Sequence, residues 1–144
     1  MKDLIELSGD FNLVVFKNGL AIKKYSDKNL IVRLGRDLLA RLIGGDVNNK
    51  FISRIAIGIN DSIPVPSNTA ITGGIIKNLS RKTYSGAVPM VSCEWILEAG
   101  EMNGLQITEF GLLCNDNSLF ARKTNEPIVK DSTIHLEGVW NINF

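Results

Sequence analysis

The run from Ile134 to Phe144 places Ile134, Leu136, Trp140, Ile142 and Phe144 at alternate positions. A repeat of two puts all five side chains on one face of an extended strand, whereas a helix would scatter them around its axis. Gly138 falls within the same series and marks a bulge or a point of close packing. A second run repeats the pattern, with Val91, Cys93, Trp95 and Leu97 set against Ser92, Glu94 and Glu98. Such alternation describes antiparallel strands with one face buried and the other exposed.

Turn chemistry divides the rest of the chain. Phe11 to Phe16 is apolar, Lys17 leads into Asn18-Gly19, and Leu20 to Tyr25 resumes the extended pattern. Asn-Gly readily adopts the two positive φ angles of a type I′ turn, so this segment predicts a β-hairpin. The polar stretch Ser26-Asp27-Lys28-Asn29 is read as a break, making residues 1–28 an N-terminal arm and residues 29–144 the main domain. One short amphipathic helix is expected from Gly35 to Ile43, because Leu34, Leu38 and Leu42 recur every four residues and Gly44-Gly45 follows. It must lie on a sheet, since one helix cannot form a core alone.

Further strands are predicted over Phe51 to Asn60, Ile75 to Tyr84, Leu105 to Cys114 and Leu119 to Lys123. In the first, Ile55, Ile57 and Ile59 alternate with Arg54, Ala56 and Gly58, and the small side invites close approach of another backbone. Pro64 and Pro66 assign Asp61 to Thr69 to an extended surface loop. With turns every 8 to 12 residues or so in the later half, the expected fold is mainly β: an antiparallel sandwich or barrel-like domain with one short helix and an N-terminal hairpin arm.

Composition excludes several functional classes. Sixteen basic residues against fifteen acidic ones leave a net charge of +1, without the basic stripe by which nucleic-acid binders displace counterions. No apolar run approaches the roughly 20 residues of a membrane-spanning helix, and Met1 to Leu7 is charged where a signal peptide is apolar. Membrane insertion is not expected, and the protein is expected to be made and held in the cytosol until used. Cys93 and Cys114 are read as reduced core thiols, and neither has ligand spacing for zinc. Asn115-Asp116-Asn117-Ser118 lacks the spaced carboxylates of a calcium loop and is read as a turn.

Catalytic constellations also lack parts. His135 is the sole histidine, alternates with Ile134 and Leu136, and is assigned to a polar strand face. No G-x-S-x-G or phosphate-cradling glycine motif is present. Glu109 lies among Ile107, Phe110 and Leu112, as a general acid or base could, but no catalytic partner is evident nearby. A structural role is expected instead, accepting backbone hydrogen bonds or pairing with Arg122. No cofactor, metal or catalytic residue is expected.

These elements also carry a family resemblance. Leu34 to Gly45, Ile55 to Gly58, Pro64 to Thr69, Glu109-Phe110-Gly111-Leu112, Ala121-Arg122 and Trp140 to Phe144 occur in an order that resembles phage tail and tail-fibre-associated, collar-like structural proteins. Phe110 stands where that pattern usually has isoleucine, and Leu113 where it often has phenylalanine, both apolar exchanges. The resemblance marks Gly58, Glu109, Gly111, Leu112, Arg122 and Trp140 as structural positions. It implies a non-enzymatic virion component, assembled in the host cytoplasm, that oligomerises with its own copies and with neighbouring virion proteins.

The hairpin lies outside the resemblance, and Phe11, Leu13, Val15, Leu20, Ile22 and Tyr25 are the candidate interface arm. Because the last strand reaches Phe144, an adaptor, collar, baseplate or fibre-attachment subunit is expected rather than a complete fibre. Two alternatives are a capsid decoration protein and a carbohydrate-binding sandwich in which Trp95, Trp140 or Tyr84 stacks on sugars.

Overall fold

A computed structural model describes residues 6–144. Residues 1–5, the beginning of the predicted arm and of the charged N-terminal segment, lie outside the described residues. Nine strands and one helix follow in the order β1 (Ser8–Lys17), β2 (Leu20–Ile31), α1 (Arg33–Ile43), β3 (Ile52–Gly58), β4 (Ile75–Asn78), β5 (Arg81–Ser85), β6 (Met90–Leu97), β7 (Gln106–Cys114), β8 (Leu119–Val129) and β9 (Ile134–Asn143). All strand pairings are antiparallel, and the spatial order is β4-β3-β7-β8-β2-β1-β9-β6-β5. The sheet curls over a shared apolar core, giving the mainly β, barrel-like architecture that the alternating runs predict.

Asn18 and Gly19 have φ angles of 49° and 79°, and the turn they form joins β1 to β2. The hairpin is nevertheless not an arm. β1 lies in the middle of the sheet, paired with β2 on one side and, from Ser8↔Asn143 to Lys17↔Ile134, with β9 on the other. Ser26 to Asn29 forms no break either, because β2 runs through these residues to Ile31. Their polar side chains are compatible with an extended backbone whose outer side meets solvent.

Leu79 and Ser80 divide the expected Ile75 to Tyr84 strand in two. Leu79 donates its backbone N–H to Ser53 O at 3.0 Å, beside β3, while Ser80 donates to Glu94 O at 2.8 Å, on β6. Consecutive residues therefore join opposite edges of the sheet, and this corner brings the edges together. Two lysines bridge the same seam: Lys77 Nζ donates to Ile96 O and Lys82 Nζ to Ile52 O, both at 2.7 Å.

The helix α1 begins two residues before the predicted start, and Gly45, at φ 75°, follows its end in the left-handed conformation. Gly35 lets the helix approach β8, for a Cβ there would stand 2.4 Å from Phe120 O. The core between the curled walls contains Phe11, Leu13, Val15, Ile55, Ile57, Trp95, Phe110, Leu112, Leu136, Trp140 and Ile142. Phe11 meets Trp140 edge-on at 5.0 Å between ring centroids and Phe110 at 4.9 Å. Edge and tilted arrangements set the electropositive rim of one ring against the electronegative face of another.

Candidate functional site: a buried ion pair and the loop it holds

On the side of β3, β7 and β8 away from the main core, the register brings small residues and charged residues together. Gly58 faces Glu109, Ala56 faces Gly111, and Gly111 faces Arg122. The segment from Ile59 to Gly74 folds back over this surface. A Cβ on Gly58 would come within 2.5 Å of Glu109 Oε1 and 2.6 Å of Thr72 O, and one on Gly111 within 2.6 Å of Ile71 Cγ1. Both glycines are therefore required by close approach of the covering loop, with Val32, Ala56, Leu113, Leu119 and Ile71 forming a smaller apolar cluster beneath it.

Glu109 and Arg122 form the polar centre of this layer. Arg122 Nε donates to Glu109 Oε2 at 2.8 Å, with 1% and 0% of the two side chains exposed. Glu109 Oε1 accepts from the backbone N–H of Asn60 at 3.2 Å and of Thr72 at 2.9 Å, so one oxygen holds both ends of the loop. Arg122 extends the network from β8 into the covering loop: Nη1 donates to Ser62 O and Asn68 Oδ1, each at 3.0 Å, and Nη2 donates to Asn60 O at 3.3 Å. Asn68 in turn accepts from Val65 N–H at 2.9 Å. Burying two charges has a large desolvation cost, which this pair offsets with short, charge-assisted bonds on both partners.

The chemistry of the site follows from that saturation. Each carboxylate oxygen is engaged by groups of the same chain, and Glu109 has no exposed surface from which to exchange a proton with a substrate. What the pair does is fix a loop that projects Ile63, 81% exposed, and Val65, 44% exposed.

The structure thus gathers four of the six motif positions, Gly58, Glu109, Gly111 and Arg122, into one network. Leu112 points into the main core, and Trp140 lies apart on β9, where its Nε1 donates to Asn29 Oδ1 at 2.8 Å. Of the candidate interface residues, Phe11, Leu13 and Val15 must be corrected: they are buried in their own chain and cannot reach a neighbour. Leu20 and Ile22 do face solvent, 71% and 56% exposed, while the partly buried Tyr25 donates its hydroxyl to Glu126 Oε1 at 2.8 Å. Sugar stacking on Trp95 or Trp140 is also closed off, since both are within the core.

Other residues singled out by type have local roles. Cys93 and Cys114 are free and buried. Asp116 accepts from Ser118 and pairs with Lys50 at 2.6 Å, supporting the turn after β7. His135 lies flat against Phe16, 4.5 Å between ring centroids. Among the described residues, no group of three or more His, Cys, Asp or Glu side chains could hold a metal ion, and no helix is long and apolar enough to cross a membrane.

Residues without a sequence signal complete the framework. Lys130 is buried and donates through Nζ to Ala99 O, Asn103 Oδ1 and Asp131 O at 2.8 to 3.0 Å, tying the β6–β7 connection to the end of β8. Asn60, Ser62 and Thr72 serve the ion pair through backbone groups, which leave no side-chain pattern to read. Comparison with family models, curated proteins and solved structures finds no match for the chain.

Proposed function

We propose that this chain is a non-enzymatic structural subunit of a phage or phage-like particle, in the tail, baseplate, collar or fibre-attachment region, acting through repeated protein interfaces. The observation that carries this reading is the Glu109–Arg122 network: the most reactive-looking carboxylate of the chain holds the ends of a loop and is sealed from solvent. That loop turns Ile63 and Val65 outward, and Leu20 and Ile22 stand exposed at the hairpin, apolar groups suited to burial against another subunit. The particle assignment itself rests on the order of motifs from Leu34 to Phe144 that resembles tail-associated proteins.

Imaging purified particles with an antibody or gold label on this chain tests the assignment. Label confined to the tail, baseplate or collar supports it. Label spread over the head would make the chain a decoration protein, and absence from washed particles would remove it from the virion. A glycan array addresses the carbohydrate alternative, for which Tyr84, 76% exposed, is the remaining candidate platform.

A further inference from the structure

The two sides of β2 are unequal. Along one side it pairs with β1 from Lys17↔Leu20 to Gly9↔Asn29, whereas along the other it meets β8 only at Leu30↔Arg122 and Ile31↔Ala121. From Leu20 to Asn29 that second edge has no backbone pairing within the described residues. β8 turns away here because its pairing with β7 is irregular between Thr124 and Ile128, where Pro127 has no N–H to donate. An open cleft of about 520 Å³ separates the strands, lined by Lys23, Tyr25 and Asp27 on one wall and Lys123 and Glu126 on the other. An unpaired edge of this length is a template for another strand.

We propose that two copies of this chain join edge to edge through β2, antiparallel about a twofold axis at Tyr25, so that Lys23 of each copy faces Asp27 of the other. A twofold axis perpendicular to the sheet keeps both apolar cores on the same side of the joined sheet. It also requires facing residues to share a face, so the axis must pass through a residue position and not between two. Of the possible centres from Lys23 to Asp27, those at Lys23, Lys24 and Asp27 place a charge against its own copy. A centre at Ser26 sets Lys24 against Lys28 twice. Only the centre at Tyr25 sets opposite charges face to face, Lys23 against Asp27 on both sides of the axis, with Lys24 against Ser26 and Ile22 against Lys28. Opposite charges directly across antiparallel strands are stabilising, and like charges are destabilising.

The existing contacts of these side chains do not close the edge. Lys23 pairs with Glu126, to which Tyr25 also donates at 2.8 Å, and Asp27 pairs with Lys123 at 3.1 Å, but Lys23, Glu126 and Asp27 remain more than half exposed. The Lys23–Glu126 pair, open to water on both sides, contributes little and exchanges partners readily, while in the second pair Asp27 is the exposed member and Lys123 is only 12% exposed. Lysines on an edge usually discourage pairing. Here the reciprocal acid makes the edge selective for a second copy. Leu20 and Ile22, exposed beside the seam, would lose water contact on association.

This inference deepens the assembly reading above and rests on it only for the purpose of the dimer. Sedimentation equilibrium of the full chain at low salt tests it, and particle labelling can succeed or fail independently. The wild type is expected to be a dimer. K23D presents two acids and D27K two bases at the seam, so each alone is expected to be a monomer, while an equimolar mixture of the two returns to dimer mass. A wild type that stays monomeric, single variants that keep the wild-type mass, or folded variants that fail to associate when mixed would each overturn the proposal. Binding of an unrelated extended peptide along β2 of a monomeric wild type would overturn it as well.

Discussion

Trp95 lies directly over Gly138, its partner in the β6–β9 register: a Cβ added to Gly138 would come within 2.0 Å of Trp95 Cε2 and 2.1 Å of Cζ2. The glycine is needed for the indole to occupy the core and makes no bulge, because the β6–β9 register continues unbroken from Met90↔Asn143 to Leu97↔Leu136. Gly138→Ala is expected to displace a large, closely packed ring and to destabilise the fold by about 1–3 kcal/mol or more. Urea unfolding followed by tryptophan fluorescence measures this, and an unchanged midpoint would contradict the packing described.

Removing one member of the buried ion pair should have a larger effect. Arg122→Met leaves the Glu109 carboxylate in a sealed site without its cation, and loss of a partner from such a pair costs about 3–5 kcal/mol. Glu109→Gln keeps an acceptor for Asn60 and Thr72 N–H and should cost less than Glu109→Ala. Because one oxygen holds both loop ends, hydrogen exchange in Arg122→Met should rise first at Asn60 to Thr72. Uniform exchange across all strands would count against that local role.

The two thiols should be silent in the folded protein. Burial pushes the Cys93 thiol up to about 11, and burial likewise raises Cys114. The reactive thiolate is then scarce at mildly alkaline pH and is also shielded from reagent. Ellman's reagent is expected to detect no thiol in native protein at pH 8 or thereabouts and both thiols in denaturant.

Acid should weaken the fold over a defined range. A hydrogen bond from Lys28 holds Asp10 below its ordinary value of 3.8. Lys123 does the same for Asp27, Lys50 for Asp116 and the Thr133 hydroxyl for Asp131, while Lys23 lowers Glu126 from 4.5. Folded values below unfolded ones mean that this stabilisation is complete above the unfolded values and is lost as pH falls through the folded values. The urea midpoint should therefore hold down to about pH 5 and fall below about pH 4. A midpoint that rises on acidification would reverse the sign.

Local features of this fold were readable where their cause is local. Period-two alternation located β6 and β9, Asn18-Gly19 located the hairpin turn, and the prolines located the loop after β3. Glu109 was readable as a structural carboxylate that accepts backbone hydrogen bonds or pairs with Arg122, and it does both. The placement of β1 was not readable, because alternation at Phe11, Leu13 and Val15 shows that one face is buried without showing whether its own chain or another buries it. The Leu79–Ser80 corner was hidden for a related reason: both strands it joins are extended, and only their distant partners, Ser53 and Glu94, distinguish them. Asn29 gave no signal because its bond to Trp140 joins residues 111 positions apart.

The pairing of β1 with β9 also orders events during synthesis. Ser8 to Lys17 leaves the ribosome well before its second neighbour, Ile134 to Asn143. Until then β1 is paired on one side only and the aromatic cluster lacks Trp140, so the final architecture awaits translation of the closing strand. Contacts this remote along a chain place folding in the slow range of about milliseconds to seconds. That flank stays exposed throughout the interval.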